Sequence, residues 1–286
     1  MSLHLGEISY TNILPFFHYL DRQELRNRGV QFYYEVPSSL NHSLAEGTID
    51  IAAVSSFAYA KNYDRLCLLP DLCVSSKGKV RSIFLISKKP ITELEEARIA
   101  LTSASATSIH LVQILLKEFY HYDTIHFETV SPNLLEMMKT YDACVLIGDD
   151  AIKARREHTQ YYYYDLGEQW FTHTGLPMTY AVFAVQKDAL QSHPELLSYL
   201  SEEFAHSRDK ARNDKYKKLA EDVSADMGGA PSFWESYYKG IHYVFGEEEK
   251  RGLLYYYSLA YKYGFIDKPI PALNIWGSGR EVQSSK

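Results

Sequence analysis

No apolar run in this chain approaches the roughly 20 residues that a membrane-spanning helix needs, so no helical span is expected. Cysteine is scarce: Cys67, Cys73 and Cys144 are an odd number, none stands at a metal-type spacing, and each sits among apolar neighbours. They read as buried free thiols of a reducing compartment, not as a disulfide framework or a zinc site. Excess positive charge is missing as well. Thirty Lys and Arg against 36 Asp and Glu leave a formal net charge of −6, which offers nothing to nucleic acid or to an anionic membrane. An anionic small molecule stays open, because a local cluster of donors decides a buried site. There is no fixed-period repeat, P-loop or G-x-S-x-G element. With neither a nucleotide loop nor a metal cluster in view, no cofactor and no metal are expected. Nor is there a His-Asp-Ser constellation; His110, His126 and His173 are scattered and read as packed or surface histidines. Met1 to Glu7 shows no basic segment leading into a long apolar run, so no secretory signal is expected and the cytoplasm is the expected location.

What is present is ordinary globular composition, 46% hydrophobic and 23% charged over 286 residues, enough for two lobes with separate cores. The 24 tyrosines are unusual. Many fall in apolar runs such as Tyr161 to Tyr164 and Tyr255 to Tyr257, where a ring can pack and its hydroxyl find a partner.

The densest group of candidate donors is Ser103-Ala104-Ser105-Ala106-Thr107-Ser108, directly before Leu111, Ile114, Leu115 and Phe119, which are spaced as on a core-facing helix. A helix start leaves backbone N–H groups unpaired at the positive end of the macrodipole. It can hold a carboxylate, or Ser105 or Thr107 can simply cap the helix. Earlier, Leu3 to Tyr10 reads as a strand and Pro15 suits a first helical turn, which puts Asn12 in a connection at a strand's carboxyl end. Open α/β sheets bind ligands there, although an Asn also satisfies its own turn. Val30 to Val36 is a second strand, and a short helix from Ser38 ends at Gly47. Ile49 to Val54 reads as a strand buried on both faces, opening at Ser55-Ser56 into a helix.

Ser82 stands at the start of the strand Ile83 to Ser87, after the basic turn Lys77 to Arg81. Thr92-Glu93-Leu94-Glu95 has the capping-box spacing. Arg98 to Leu101 and Thr124 to Glu128 read as strands, as does Asp142 to Ile147, which turns at Gly148 into a helix. That glycine permits close backbone approach, and Asp149 and Asp150 are each either a cap or a ligand to a hydroxyl. Thr179 to Val185 is a last strand. From Pro194 the pattern is helical, over Pro194 to Arg212, Tyr216 to Met227, Phe233 to Tyr238 and Glu247 to Tyr263, and reads as scaffold. The polar tail from Trp276 is predicted to fray.

Two sets of βα units followed by helices that must pack back imply two α/β lobes joined by crossing strands, with a ligand cleft between them. The expected lobes are 1–88 with 185–286, and 89–184. This is the two-lobed architecture of type II periplasmic-binding proteins, with mixed sheets and flanking helices. The segments Ile8-Ser9-Tyr10-Thr11-Asn12-Ile13-Leu14-Pro15, Gly47 to Ser56, Gly78-Lys79-Val80-Arg81-Ser82, Ser105-Ala106-Thr107-Ser108, Gly148-Asp149-Asp150-Ala151 and Thr174-Gly175-Leu176-Pro177-Met178 together resemble the MqnA family. Those are the chorismate dehydratases of the futalosine route to menaquinone. The resemblance covers roughly residues 3 to 185, in order.

The resemblance implies loss of water from chorismate to give 3-[(1-carboxyvinyl)oxy]benzoate, with the substrate's own enolpyruvyl carboxylate as proton acceptor. On it, Asn12 and Ser82 orient the carboxylates and the leaving hydroxyl. Ser55, Ser56, Ser105, Ala106 (through its N–H), Thr107 and Ser108 supply carboxylate donors, and Gly148 and Asp149 complete the set, the aspartate facing a substrate hydroxyl. Arg81 is a candidate counter-charge unless it alternates out of the cleft. Two other readings stand beside this one: the sister enzyme that cleaves cyclic dehypoxanthine futalosine, and a non-catalytic binder of a small anion. Oligomeric state is not legible.

Overall fold

The computed structural model describes residues 2–8, 10–35 and 37–277; of the tail predicted to fray, Trp276 is held, its N–H donating to Leu68 O at 2.9 Å, and the part beyond Gly277 lies outside the described residues. β1 (Leu3–Ile8) passes through a 3-10 turn (Thr11–Ile13) into the short α1 (Leu14–Phe17), with Pro15 in its first turn. α2 (Arg22–Asn27), β2 (Val30–Glu35), α3 (Pro37–Glu46), β3 (Ile51–Ser55) and α4 (Ser56–Lys61) follow, and β4 (Leu66–Ser76) ends the first run. β5 (Ile83–Ser87), β6 (Arg98–Thr102), α5 (Ala106–Ile114), β7 (His126–Val130), α6 (Leu134–Thr140), β8 (Ala143–Ile147), α7 (Gly148–Glu157), β9 (Tyr162–Asp165) and α8 (Leu166–Thr174) form the second. β10 (Met178–Gln186) returns to the first, and α9 (Lys187–Ser192), α10 (Pro194–Asn213), α11 (Lys217–Met227), α12 (Pro231–Lys239) and α13 (Glu247–Lys262) complete the chain.

The strands make two five-stranded sheets, β2-β1-β3-β10-β4 and β7-β6-β8-β5-β9. In the first, β1 runs parallel to β2 and β3, and β10 is antiparallel to β3 and β4. In the second, β6 runs parallel to β7 and β8, and β5 is antiparallel to β8 and β9. Both sheets are mixed. β5 belongs to the second sheet and β10 to the first, so the chain crosses at 77–82 and 166–177.

Alternation divides the core. In β5, Ile83 and Leu85 face the main core, which runs through both sheets, while Phe84 and Ile86 face a smaller core under α6 and α7. Ala143 and Val145 of β8 divide from Cys144 and Leu146 in the same way. That is why these strands read as continuous apolar runs.

The crossings meet at Asp165. Its carboxylate accepts the N–H groups of Val80 (3.1 Å), Arg81 (2.7 Å), Gly167 (3.0 Å) and Glu168 (3.1 Å), capping α8 and holding the first crossing at once. Arg81 adopts φ +63 there and points away, donating to Ser236 Oγ at 2.6 Å and Ser236 O at 3.2 Å on α12.

Three local expectations change. The capping-box spacing at Thr92 yields only a 3-10 turn, Ile91–Glu93, headed by Pro90 with no side-chain cap. α8, to which the sequence pattern assigned no element, begins on the Asp165 cap. Neither Asp149 nor Asp150 caps α7, whose N-cap is Ile147, because Gly148 turns at φ +59 and Asp149 is drawn across to the first sheet. Cys67, Cys73 and Cys144 are free and buried.

Candidate active site

In each sheet two parallel neighbours end side by side, and their carboxyl ends carry the candidate residues. β1 and β3 deliver Tyr10 to Asn12 and Ser55-Ser56; β6 and β8 deliver Ser103 to Ser108 and Gly148-Asp149. β5 starts at that same end, with Ile83 paired to Ile147, so Ser82 falls beside Gly148 and its carbonyl accepts the Gly148 N–H at 2.7 Å.

The two sheets touch here through side chains. Thr11 Oγ1 donates to Asp149 Oδ1 at 2.6 Å. Tyr10 lies over Gly148, where a Cβ would come within 3.2 Å of the ring. Burial pushes the Asp149 carboxyl above its ordinary value against the opposing pull of the Thr11 hydrogen bond. Burial, with Asp150 and Asp149 adding repulsion, raises the Tyr10 phenol to about 12. Asn12 is half-buried, and its amide has no hydrogen-bond partner among the described residues. Ser82 is buried and accepts from the Tyr237 hydroxyl at 3.0 Å.

A second inter-sheet contact is fully internal. Ser56 Oγ donates to Thr179 O at 2.8 Å and lies 3.1 Å from Thr107 Oγ1, which accepts the Phe57 N–H at 3.1 Å and donates to Tyr180 O at 3.2 Å. Both hydroxyls are consumed by protein and buried. Ser55 caps α4, accepting the Ala58 N–H at 3.1 Å, and its own N–H is taken by Asn41 Oδ1 at 3.2 Å. Ser105 caps α5 by accepting the Ser108 N–H at 3.1 Å and donates to Ser108 Oγ at the same distance. That leaves the N–H groups of Ala106 and Thr107, at the head of α5, as the backbone donors of this helix start.

The C-terminal helices are not passive scaffold. Tyr237 of α12 reaches Ser82, and Tyr238 donates to Thr11 O at 3.2 Å. Tyr256 and Tyr257 of α13 donate to Thr107 O at 3.1 Å and Ser56 O at 2.6 Å. The tyrosine-rich composition was the only signal for these contacts. Thr11 stands inside the segment Ile8 to Pro15, yet nothing local to a threonine in a turn signals its bond to Asp149. Arg81 is no counter-charge, being turned to α12. His110 stacks on Phe57 at 3.7 Å and His173 on Phe119 at 4.7 Å, both held below their ordinary values by burial, and His126 is exposed. No group of three or more potential metal ligands occurs among the described residues. A cavity of about 430 Å³ bordered by Arg208, Arg212, Lys215, Lys239 and Glu249 shares no residue with these corners. Its arginines are answered by Asp209, and Lys239 by Glu235.

A family model described as menaquinone biosynthesis matches residues 3–262. The chain belongs to this menaquinone biosynthesis family. Among curated members, a chorismate dehydratase from Thermus thermophilus is 32% identical over 267 residues, 87% of this chain and 92% of the relative. Another from Campylobacter jejuni subsp. jejuni is 29% identical over 218 residues, covering 71% of this chain and 81% of its own. Solved structures similar to this member of the family include a protein from Archaeoglobus fulgidus, with TM-score 0.71 at 16% identity over 93% of this chain and 98% of the other. The alkanesulfonate-binding protein of Xanthomonas axonopodis pv. citri, bound to MOPS, gives 0.70 at 14% identity over 96% and 98%. A Candida albicans protein with the generic periplasmic binding protein fold gives 0.65 at 14% identity over 90% of each chain. These likenesses establish the fold, that of the periplasmic-binding proteins.

Proposed function

We propose that this chain is a chorismate dehydratase, a hydro-lyase that converts chorismate to 3-[(1-carboxyvinyl)oxy]benzoate in menaquinone biosynthesis. The observation that carries the reading is the contact between the strand-end corners that bear Asn12, Ser82 and Asp149, made by Thr11 on Asp149 and by Gly148 on the Ser82 carbonyl, in a family whose 32%-identical member bears that name. A dicarboxylate suits such a corner: the free Asn12 amide and the Ala106 and Thr107 N–H groups are neutral donors for carboxylates. Ser82 faces the leaving hydroxyl, and the Asp149 carboxyl, raised by burial, meets a substrate hydroxyl. Gly148 lets Tyr10 close over the site. Ser55 and Ser105 shape it as caps, and Ser56, Thr107 and Ser108 support it from within.

Aromatisation drives the elimination, so the protein's task is to hold the substrate in a near-attack pose while its own enolpyruvyl carboxylate takes the ring proton. No cofactor is required by this chemistry. We take the cleft to lie between two lobes, and move their boundaries from the expected 88/89 and 184/185 to the crossings 77–82 and 166–177, because β5 pairs in the second sheet and β10 in the first. No described helix is long and apolar enough to cross a membrane. On the family's biosynthetic role we place the enzyme in the cytoplasm.

Incubation with chorismate, read by mass spectrometry, should show loss of one water. Tight binding without product would instead mark a binder, and turnover only of cyclic dehypoxanthine futalosine the sister enzyme. Asn12→Ala and Ser82→Ala should each lower turnover by about 100-fold or more with the melting profile retained, as loss of an oriented transition-state donor does. Turnover close to the parent in both variants would remove these residues from the site.

A further inference from the structure

Ser82 Oγ accepts one firm hydrogen bond within the protein, while the bond its own proton makes there is a long one. Tyr237 donates to its Oγ at 3.0 Å, whereas the acceptor nearest its own proton, Val80 O, is 3.5 Å away, at the outer limit of a hydrogen bond. A serine hydroxyl accepts and donates at once. A phenol that occupies one of its two lone pairs turns the hydroxyl and leaves the proton to be given elsewhere. Tyr237 is held firmly enough to enforce this: it is buried, its ring meeting Trp234 edge-on at 5.7 Å and Tyr238 at 5.4 Å. Burial also pushes its hydroxyl far above the ordinary range, so it stays a neutral donor. The next residue, Tyr238, holds Thr11 O, and Thr11 holds Asp149. Consecutive residues of α12 thus fix both sides of the site.

We propose that Tyr237 is a positioning residue that acts through Ser82, orienting the serine hydroxyl so that it donates to the departing hydroxyl of the substrate. The inference rests on the role of Ser82 proposed above. In the elimination the ring C–H passes its proton to the substrate carboxylate while its electron pair becomes the new ring C=C bond, the C–O pair leaves with the oxygen, and the proton held by the carboxylate completes the water. Ser82 contributes a hydrogen bond to that oxygen and no net proton, and Tyr237 sets its direction.

The test is a double-mutant cycle on chorismate turnover. Tyr237→Phe should lower kcat about tenfold with KM within about twofold, the signature of an interaction made in the transition state. In Ser82→Ala the same change should have no further effect. If Ser82→Ala is too slow to measure, Ser82→Thr, which keeps the hydroxyl, should preserve the tenfold penalty. Tyr237 replaced by 3-fluorotyrosine keeps ring and hydroxyl and should stay within about threefold of the parent. A loss equal to that of Tyr237→Phe would assign the effect to packing and overturn the inference. So would parental kcat in Tyr237→Phe, or an undiminished penalty in Ser82→Ala. Near-parental turnover of Ser82→Ala would instead sink the reading of Ser82 itself.

Discussion

At the scale of the residue, the hydroxyls near the site divide by what their oxygens already hold. Thr107 illustrates one class. Its Oγ1 serves Phe57 N–H and Tyr180 O inside the protein, so Thr107→Val strands a buried N–H and should cost about 1–3 kcal/mol of stability. Denaturant titration should find that loss while KM for chorismate stays put; a raised KM at unchanged stability would return the hydroxyl to the substrate. Asp149, a carboxylate among these hydroxyls, is instead a group that pays for its position. Its carboxyl is raised by burial, so the ionised form is the penalised one, and the penalty develops as pH rises above the unfolded value near 4. Asp149→Asn keeps an acceptor for Thr11 and removes the charge. Its melting temperature should therefore exceed the parent's at pH 7, and the gain should vanish below about pH 4. An equal gain at both pH values would point to a cause other than ionisation.

At the scale of the element, the crossings decide how the corners face each other. Gly167, at the start of α8, lies so close to the first crossing that a Cβ would meet Gly78 O and Tyr180 OH at 2.5 Å and Ser76 Oγ at 2.6 Å. All three are backbone or buried groups with no room to retreat. Gly167→Ala should lower stability by about 1–3 kcal/mol and reduce turnover, because the displaced crossing carries Ser82 at its end. A variant with parental melting and activity would show that the crossings flex more freely than their packing implies. β5, β8 and β10 were legible from their apolar runs. α8 was not, although its Asp165 cap on Gly167 and Glu168 is local; the same carboxylate's hold on Val80 and Arg81, about 85 residues away, is what no spacing shows.

At the scale of the whole molecule, α9 to α13 complete the core. Phe204, Trp234, Tyr237, Phe245, Tyr256 and Tyr257 are fully or almost fully buried in the cluster that holds both sheets. A chain ended after Gln186 would expose that surface. It should show no cooperative unfolding and no near-UV dichroism, and a sharp melt of that fragment would restore the helices to a dispensable role.

The sequence by itself determined the elements and the family. Apolar period and turn residues placed every described strand but β4 and β9, and short hydroxyl-rich segments in fixed order carried the resemblance, because these are local properties of the chain. Tertiary structure decided which hydroxyls are free. Ser56 and Ser82 look alike as serines at strand ends, yet Thr179 O takes the proton of one, while a tyrosine 155 residues away takes only the acceptor side of the other. A hydroxyl's availability is set by partners that arrive from other elements, and no spacing along the chain encodes them.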